Sequence, residues 1–193
     1  LSKNGEQCIF RWGARSLGKT HLLQACCQRA FKLQLSTFYL SLDSEITPDI
    51  LEGLEEINVV CLDNIQRLAG NTEWEKAFFD FFNRLHERGN QLILSANHPP
   101  GELPIRLPDL NTRLAWGLTL KLQPLDEEQQ IAALTLRADT MGLEIPPQVG
   151  RFLLSHYTRD LLELWCLLDR LDHATLAAKR KLTIPFVKEI LGL

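Results

Sequence analysis

At 193 residues, with 45% hydrophobic and 23% charged side chains, the chain has the composition of an ordinary globular protein, long enough for one domain and a smaller second one. Its formal net charge of −3 argues against the basic surface that drives sequence-independent nucleic-acid binding, and no apolar run approaches the roughly 18 residues of a membrane span. Five cysteines (Cys8, Cys26, Cys27, Cys61, Cys166), odd in number and without a C-x-x-C pair, exclude a disulfide framework and read as small buried hydrophobes in a reducing cytoplasm. The first residue is Leu1 rather than Met, so a further N-terminal segment is expected.

Residues 8–12 read as a short buried strand. They run into Gly13-Ala14-Arg15-Ser16-Leu17-Gly18-Lys19-Thr20, which matches G-x-x-x-x-G-K-[ST] at every fixed position. The glycines let backbone N–H groups turn inward around a phosphate, Lys19 reaches its oxygens and the Thr20 hydroxyl suits Mg²⁺. Residues 21–33 are predicted to form the following helix, with Leu22, Leu23, Cys26, Ala30 and Leu33 on one side. Its positive end points at the same anion.

A second strand is predicted at 37–42, a short helix at 48–54 and a third strand at 58–64, whose end presents Asp63 and Asn64. Residues 73–88 carry Trp74, Ala77, Phe78, Phe81, Phe82 and Leu85 at helical spacing, with Gly89 as the stop. A fourth strand at 91–95 leads to Asn97, held out of any helix by Pro99-Pro100. A short helix at 109–115 carries Arg113, and a fifth strand covers 118–122. From Pro124 onward the pattern is helical: a helix capped by Asp126 ends near Gly142, and others follow at 149–156, around Leu161 to Leu171, and at 184–191. The division is an α/β domain at 1–124 and a helical domain at 125–193.

An acidic residue at a strand end is the usual partner of the P-loop hydroxyl on Mg²⁺, and Asp63 fits. The next position, where a second acid would orient the attacking water, is Asn64. It has no proton-accepting carboxylate, so intrinsic hydrolysis is expected to be weak or absent.

With the elements in this order, the chain resembles the AAA+ family and, within it, the initiator clade of DnaA, over essentially all 193 residues. The carrying segments are 18–23, 60–65, 107–117 with its Asn111-Thr112-Arg113-Leu114 run, and 180–191. The fold implied is α/β, an AAA+ P-loop NTPase core with a five-stranded parallel sheet between helices, followed by a small all-α lid. The resemblance makes Gly13, Ala14, Arg15, Ser16, Leu17, Gly18, Lys19 and Thr20, with His21 beside them, the binding loop for ADP or ATP, and Thr20 with Asp63 the Mg²⁺ site. It implies that Asn97 is sensor 1, that Arg113 is an arginine finger acting in a neighbouring subunit, and that Arg159 is the sensor 2 arginine of the lid.

DnaA itself continues past the lid into a DNA-binding domain and has a second acid where this chain has Asn64. The expectation is therefore the regulatory side of the clade: a bacterial, cytoplasmic, ADP-bound protein without sequence-specific DNA binding of its own. With the DNA-loaded sliding clamp it would stimulate hydrolysis of DnaA-bound ATP, and so restrain replication initiation. The partners implied are DnaA, the clamp through an N-terminal peptide absent from these residues, and further copies of the chain as a homodimer or higher oligomer. The alternative is an AAA+ ATPase of helicase-loader or initiator type acting directly on DNA.

Overall fold

The apolar runs pair into a five-stranded parallel sheet in a computed structural model of the chain, which describes residues 6–43, 45–158 and 160–192. The strands are β1 (Cys8–Trp12), β2 (Thr37–Ser41), β3 (Val59–Asp63), β4 (Gln91–Ala96) and β5 (Leu118–Lys121), in the spatial order β2-β3-β4-β1-β5. Parallel neighbours require crossovers, and α1 (Lys19–Lys32), α2 (Thr72–Glu87) and α3 (Pro108–Leu114) supply three of them. The fourth, between β2 and β3, was expected to hold one helix over 48–54. It holds two 3₁₀ turns instead, Pro48–Leu51 and Leu54–Glu56, because Gly53 between them takes φ 78° and breaks the helical path.

Strand residues alternate between two cores. Cys8, Phe10, Val60, Leu62, Leu92 and Leu94 meet Phe78, Phe81, Phe82 and Leu85 of α2. Val59, Cys61 and Ile93 face the other way and meet Leu23 and Ala30 of α1. Three of the four α2 phenylalanines, Phe78, Phe81 and Phe82, are buried, each worth about 1.5–3 kcal/mol relative to exposure. The apolar face of α1 is narrower than its sequence suggests. Leu22 and Leu33 are more than 40% exposed, because only Leu23 and Ala30 point squarely at the sheet.

The second unit, residues 124–193, is helical: α4 (Glu127–Met141), α5 (Pro147–His156), α6 (Leu161–Ala178) and α7 (Ile184–Leu191). Asp126 and Gln129 form a reciprocal capping box on α4, and Thr183 caps α7. Leu134, Ala138, Val149, Leu153, Leu164, Leu168, Leu171 and Val187 share its core. The expectation that all cysteines are buried fails at Cys166, which is exposed on α6. No helix among the described residues is long and apolar enough to cross a membrane.

Two core thiols give the fold an alkaline limit. Burial, helped by the charge of Glu6, pushes the Cys8 thiol up to about 12, and burial pushes Cys61 further up. Their folded values lie above the ordinary 9.0, so the stability they contribute is complete below pH 9 and is lost as pH rises towards 12. Thermal melts between pH 8 and 11 are expected to fall by about 1.4 kcal/mol per pH unit for each thiol above pH 9. Replacing both by alanine should flatten that decline; an unchanged slope would count against it.

Candidate functional site

The carboxyl ends of β1, β3 and β4 meet where the strand order changes direction, since β1 lies between β4 and β5 while β2 lies beyond β3. Such a point leaves a crevice for a ligand. Register brings the named residues there: Trp12 pairs with Ala96, and Ser41 with Asp63. The Gly13 N–H donates to the Ala96 carbonyl at 3.3 Å, tying the start of the loop to the end of β4.

Between β1 and α1, Ser16 (φ 62°) and Gly18 (φ 77°) are left-handed. Ser16 carries strain there, whereas Gly18 has no Cβ to clash. Asn71, Asp126 and Thr183 cap α2, α4 and α7 with their side chains, but no side chain caps α1. The first amides of α1 are therefore left for an anion. Into this cradle reaches Lys19, a residue only 7% exposed, whose ammonium donates to the Gly13 carbonyl at 2.9 Å and the Ala14 carbonyl at 2.7 Å. Burial lowers its pKa, with Arg15 adding to the effect and Asp63 opposing it.

Asp63 is buried at the end of β3 and is ringed by donors. Thr20 Oγ1 donates to its Oδ2 at 2.5 Å and Tyr39 Oη at 3.2 Å; the Asn64 N–H at 3.0 Å and the Ser95 hydroxyl donate to Oδ1. Burial and the Asp63 charge push Tyr39 up to about 12, so it remains a donor. Among the described residues no three His, Cys, Asp or Glu converge. Mg²⁺ does not need three: one or two carboxylates, water and substrate phosphate satisfy it, and the hard oxygens of Thr20 and Asp63 suit it.

Asn64 is left-handed at φ 60° and turns its carboxamide towards β2. Its Nδ2 donates to Asp43 Oδ2 at 2.5 Å, while Arg67 Nε holds Asp43 Oδ1 at 3.0 Å. Gln66 links this group to Asn97, donating to Asn64 Oδ1 at 3.2 Å and accepting from the Asn97 N–H at 3.3 Å. Thus Asn97 joins the group through its backbone. His21 is exposed on the first turn of α1.

Arg113 does not join them. It lies on α3 just before β5, and Ile9 pairs with Leu118 at the amino ends of β1 and β5. The phosphate loop starts at the opposite end of β1, past Trp12, and β5 adds roughly 3.3 Å per residue between the two edges. Arg159 lies outside the described residues. Sequence reasoning missed Tyr39, Ser95 and Gln66; strand-end polar residues were visible, but only the register reveals which of them surround Asp63.

The same fold occurs in known proteins. Domain III of the Thermotoga maritima replication initiation protein DnaA matches 97% of this chain and 84% of its own length, at 23% identity and a TM-score of 0.82. A structure of replication initiator DnaA bound to AMPPCP and single-stranded DNA matches 86% of the chain at 24% identity and a TM-score of 0.72, and the chain spans 55% of that protein's length. A Thermotoga maritima RuvB variant covers 97% of the chain and 61% of its own length, at 18% identity and a TM-score of 0.70. These likenesses establish the fold, an α/β core on a parallel sheet followed by a helical unit. Residues 126–191 match the family described as the Hda lid domain. Residues 2–121, which include the phosphate loop, Asp63 and Arg113, match the bacterial DnaA ATPase domain, and the chain belongs to that family.

Proposed function

We propose that the chain is an inactivator of replication initiation of the Hda kind: an ADP-loaded AAA+ module that, with the DNA-loaded sliding clamp, stimulates hydrolysis of ATP held by DnaA. The observation that carries this reading is the pairing of a DnaA-type ATPase domain with a lid that matches the Hda lid family. The loop amides at 13–20 and Lys19 would hold the nucleotide phosphates, and Thr20 and Asp63 would hold Mg²⁺, which when bound neutralises phosphate charge. Asn64 supplies no base, and the carboxylate that meets its side chain, Asp43, is tied to Asn64 and Arg67. Bound nucleotide would therefore persist.

Arg113 stands at the edge of the sheet away from its own phosphate loop, which suits delivery to a neighbour's γ-phosphate. There its guanidinium would stabilise charge on the transferring group. Arg159 would read the nucleotide from the lid, Asn97 would act as sensor 1, and the clamp contact would come from a segment upstream of these residues. Copies of the chain would assemble as a homodimer or larger oligomer.

The test mixes ADP-loaded full-length protein with ATP-bound DnaA and clamp-loaded DNA, and follows DnaA-bound ATP. Arg113→Ala is expected to reduce the stimulated rate at least about a hundredfold, with nucleotide affinity and melting temperature unchanged. Undiminished stimulation would remove the finger assignment. The second reading, an ATPase acting directly on DNA, draws support from the DnaA neighbour that binds single-stranded DNA. It predicts turnover by the isolated protein and salt-sensitive DNA binding.

A further inference from the structure

Arg113 is held in place by an aromatic ladder that starts in the core. Phe82, on α2, is 2% exposed. His86, one turn further along, stacks on Phe82 with ring centroids 6.3 Å apart and planes 13° from parallel. Trp116 meets His86 edge-on at 6.4 Å, and the guanidinium carbon of Arg113 lies 3.8 Å from the Trp116 ring centroid.

The backbone around Trp116 leaves little freedom. A Cβ on Gly117 would fall 2.1 Å from the Cys8 carbonyl oxygen, so only glycine permits this approach to β1. On the other side of the ladder, Gln7 Nε2 donates to the His86 carbonyl at 3.4 Å. Trp116, His86, Phe82 and Gln7 also line one cavity of about 330 Å³ at the amino end of β1. Trp116 is thus 55% exposed, with its ring edge-on against His86 and its backbone leading into the close approach at Gly117.

Among the described residues no carboxylate pairs with Arg113. This matters because a carboxylate would neutralise the guanidinium and occupy its N–H fork. A ring face holds the planar group by its flat side and leaves the charge and the donors available to an anion. An unsupported arginine loses much more rotamer freedom when it docks than one already laid on a surface.

We propose that Trp116 is the positioning residue of Arg113, presenting the guanidinium to a phosphate of the partner subunit's nucleotide. This rests on the finger reading above. Cation–π contact at an exposed site accounts for only about a two- to fivefold gain in occupancy of the poised rotamer. Misplacement of a catalytic group by about 1 Å reaches a hundredfold, so a loss of roughly tenfold is expected.

The experiment compares full-length wild type, W116F, W116L and R113A. Stimulated loss of DnaA-bound ATP is measured against concentration of the chain, and the Arg113 δ-proton shifts are read by NMR on the chain alone. W116L is expected to lower the maximal rate about tenfold, to move the half-saturating concentration less than about threefold and to abolish the ring-current displacement of the Arg113 δ protons. W116F, which keeps a ring face, should restore both rate and displacement to within about threefold. Equal losses in W116F and W116L would overturn the proposal, as would wild-type δ protons without displacement. W116L at full rate beside an inactive R113A would overturn positioning alone. An R113A protein that stimulates normally would bring down the finger reading and the positioning role together.

Discussion

Lys19→Met is expected to weaken nucleotide binding by at least about a hundredfold without weakening the fold. Charge-assisted hydrogen bonds are worth about 1.5–3 kcal/mol each, and a P-loop lysine makes more than one to its phosphates. In the free chain the same ammonium is satisfied by two loop carbonyls, those of Gly13 and Ala14, inside a cradle with an uncapped helix at its back. The other cation of the loop, Arg15, is exposed rather than held in the cradle as Lys19 is.

The fold itself has less to lose. Burial lowers the Lys19 pKa from 10.5, so the folded chain binds fewer protons than the unfolded one between the lowered value and 10.5, and stability rises with pH over that window. Below it, the buried ammonium is a fixed burden on the folded state, and methionine removes it while keeping the stem that fills the loop. Calorimetric titration with MgADP and thermal melts with and without nucleotide check both halves. Wild type at a hundredfold excess over Kd should gain about 2.7 kcal/mol, and the variant almost none. Undiminished affinity in Lys19→Met would show that the loop amides suffice and that the lysine serves another purpose.

The parts of the site that were legible in the sequence are those fixed by local spacing. The P-loop needs its glycines and lysine at set offsets, so it can be read without knowing the sheet. Asp63 was legible for a related reason: an apolar β-branched run ending in an acid gives its position along a strand. The residues around Asp63 were hidden because they depend on register between strands far apart in the chain. Tyr39 and Ser95 reach the carboxylate only because β2 and β4 flank β3 in the observed alignment.

Arg113 shows the opposite case. Its spacing said nothing about its role, and a resemblance to a family supplied one; the fold then adds that it stands apart from its own phosphate loop. Asn64 was legible as a missing acid, but its carboxamide contact with Asp43 was not, since a left-handed backbone turns the side chain sideways. Helix edges followed local chemistry closely except at α6, which runs on to Ala178, past the apolar positions that marked it. The misread stretch, 48–54, broke at a glycine whose positive φ no periodicity count registers.

Glu75→Ala is expected to destabilise the α/β unit by about 2–4 kcal/mol and to impair Arg113 without touching it. Glu75 points from the first turn of α2 into the structure and is 1% exposed. Instead of a cation it is surrounded by backbone: the Gly70 N–H donates at 2.7 Å, the Arg106 N–H to both oxygens at 3.1 and 3.0 Å, and the Leu107 N–H at 2.8 Å. Leu107 is the residue that opens α3, so one carboxylate ties the loop before α2 to the start of the helix that carries Arg113. Alanine would strand up to three amide donors, each worth about 1–3 kcal/mol if unsatisfied, with water recovering part of the loss at the more open positions. Glutamine keeps one carbonyl acceptor and should lose about half as much. For a chain of this size 1 kcal/mol shifts the melting temperature by roughly 2–4 °C, so alanine should lower it by about 4–16 °C and glutamine by about half that. Amide hydrogen exchange separates the local effect from the global one: protection should fall first at Arg106, Leu107 and the opening turn of α3. An alanine variant with unchanged melting and unchanged exchange there would mean that solvent satisfies those amides and that α3 is fixed by its apolar contacts, Leu110 and Leu114, alone.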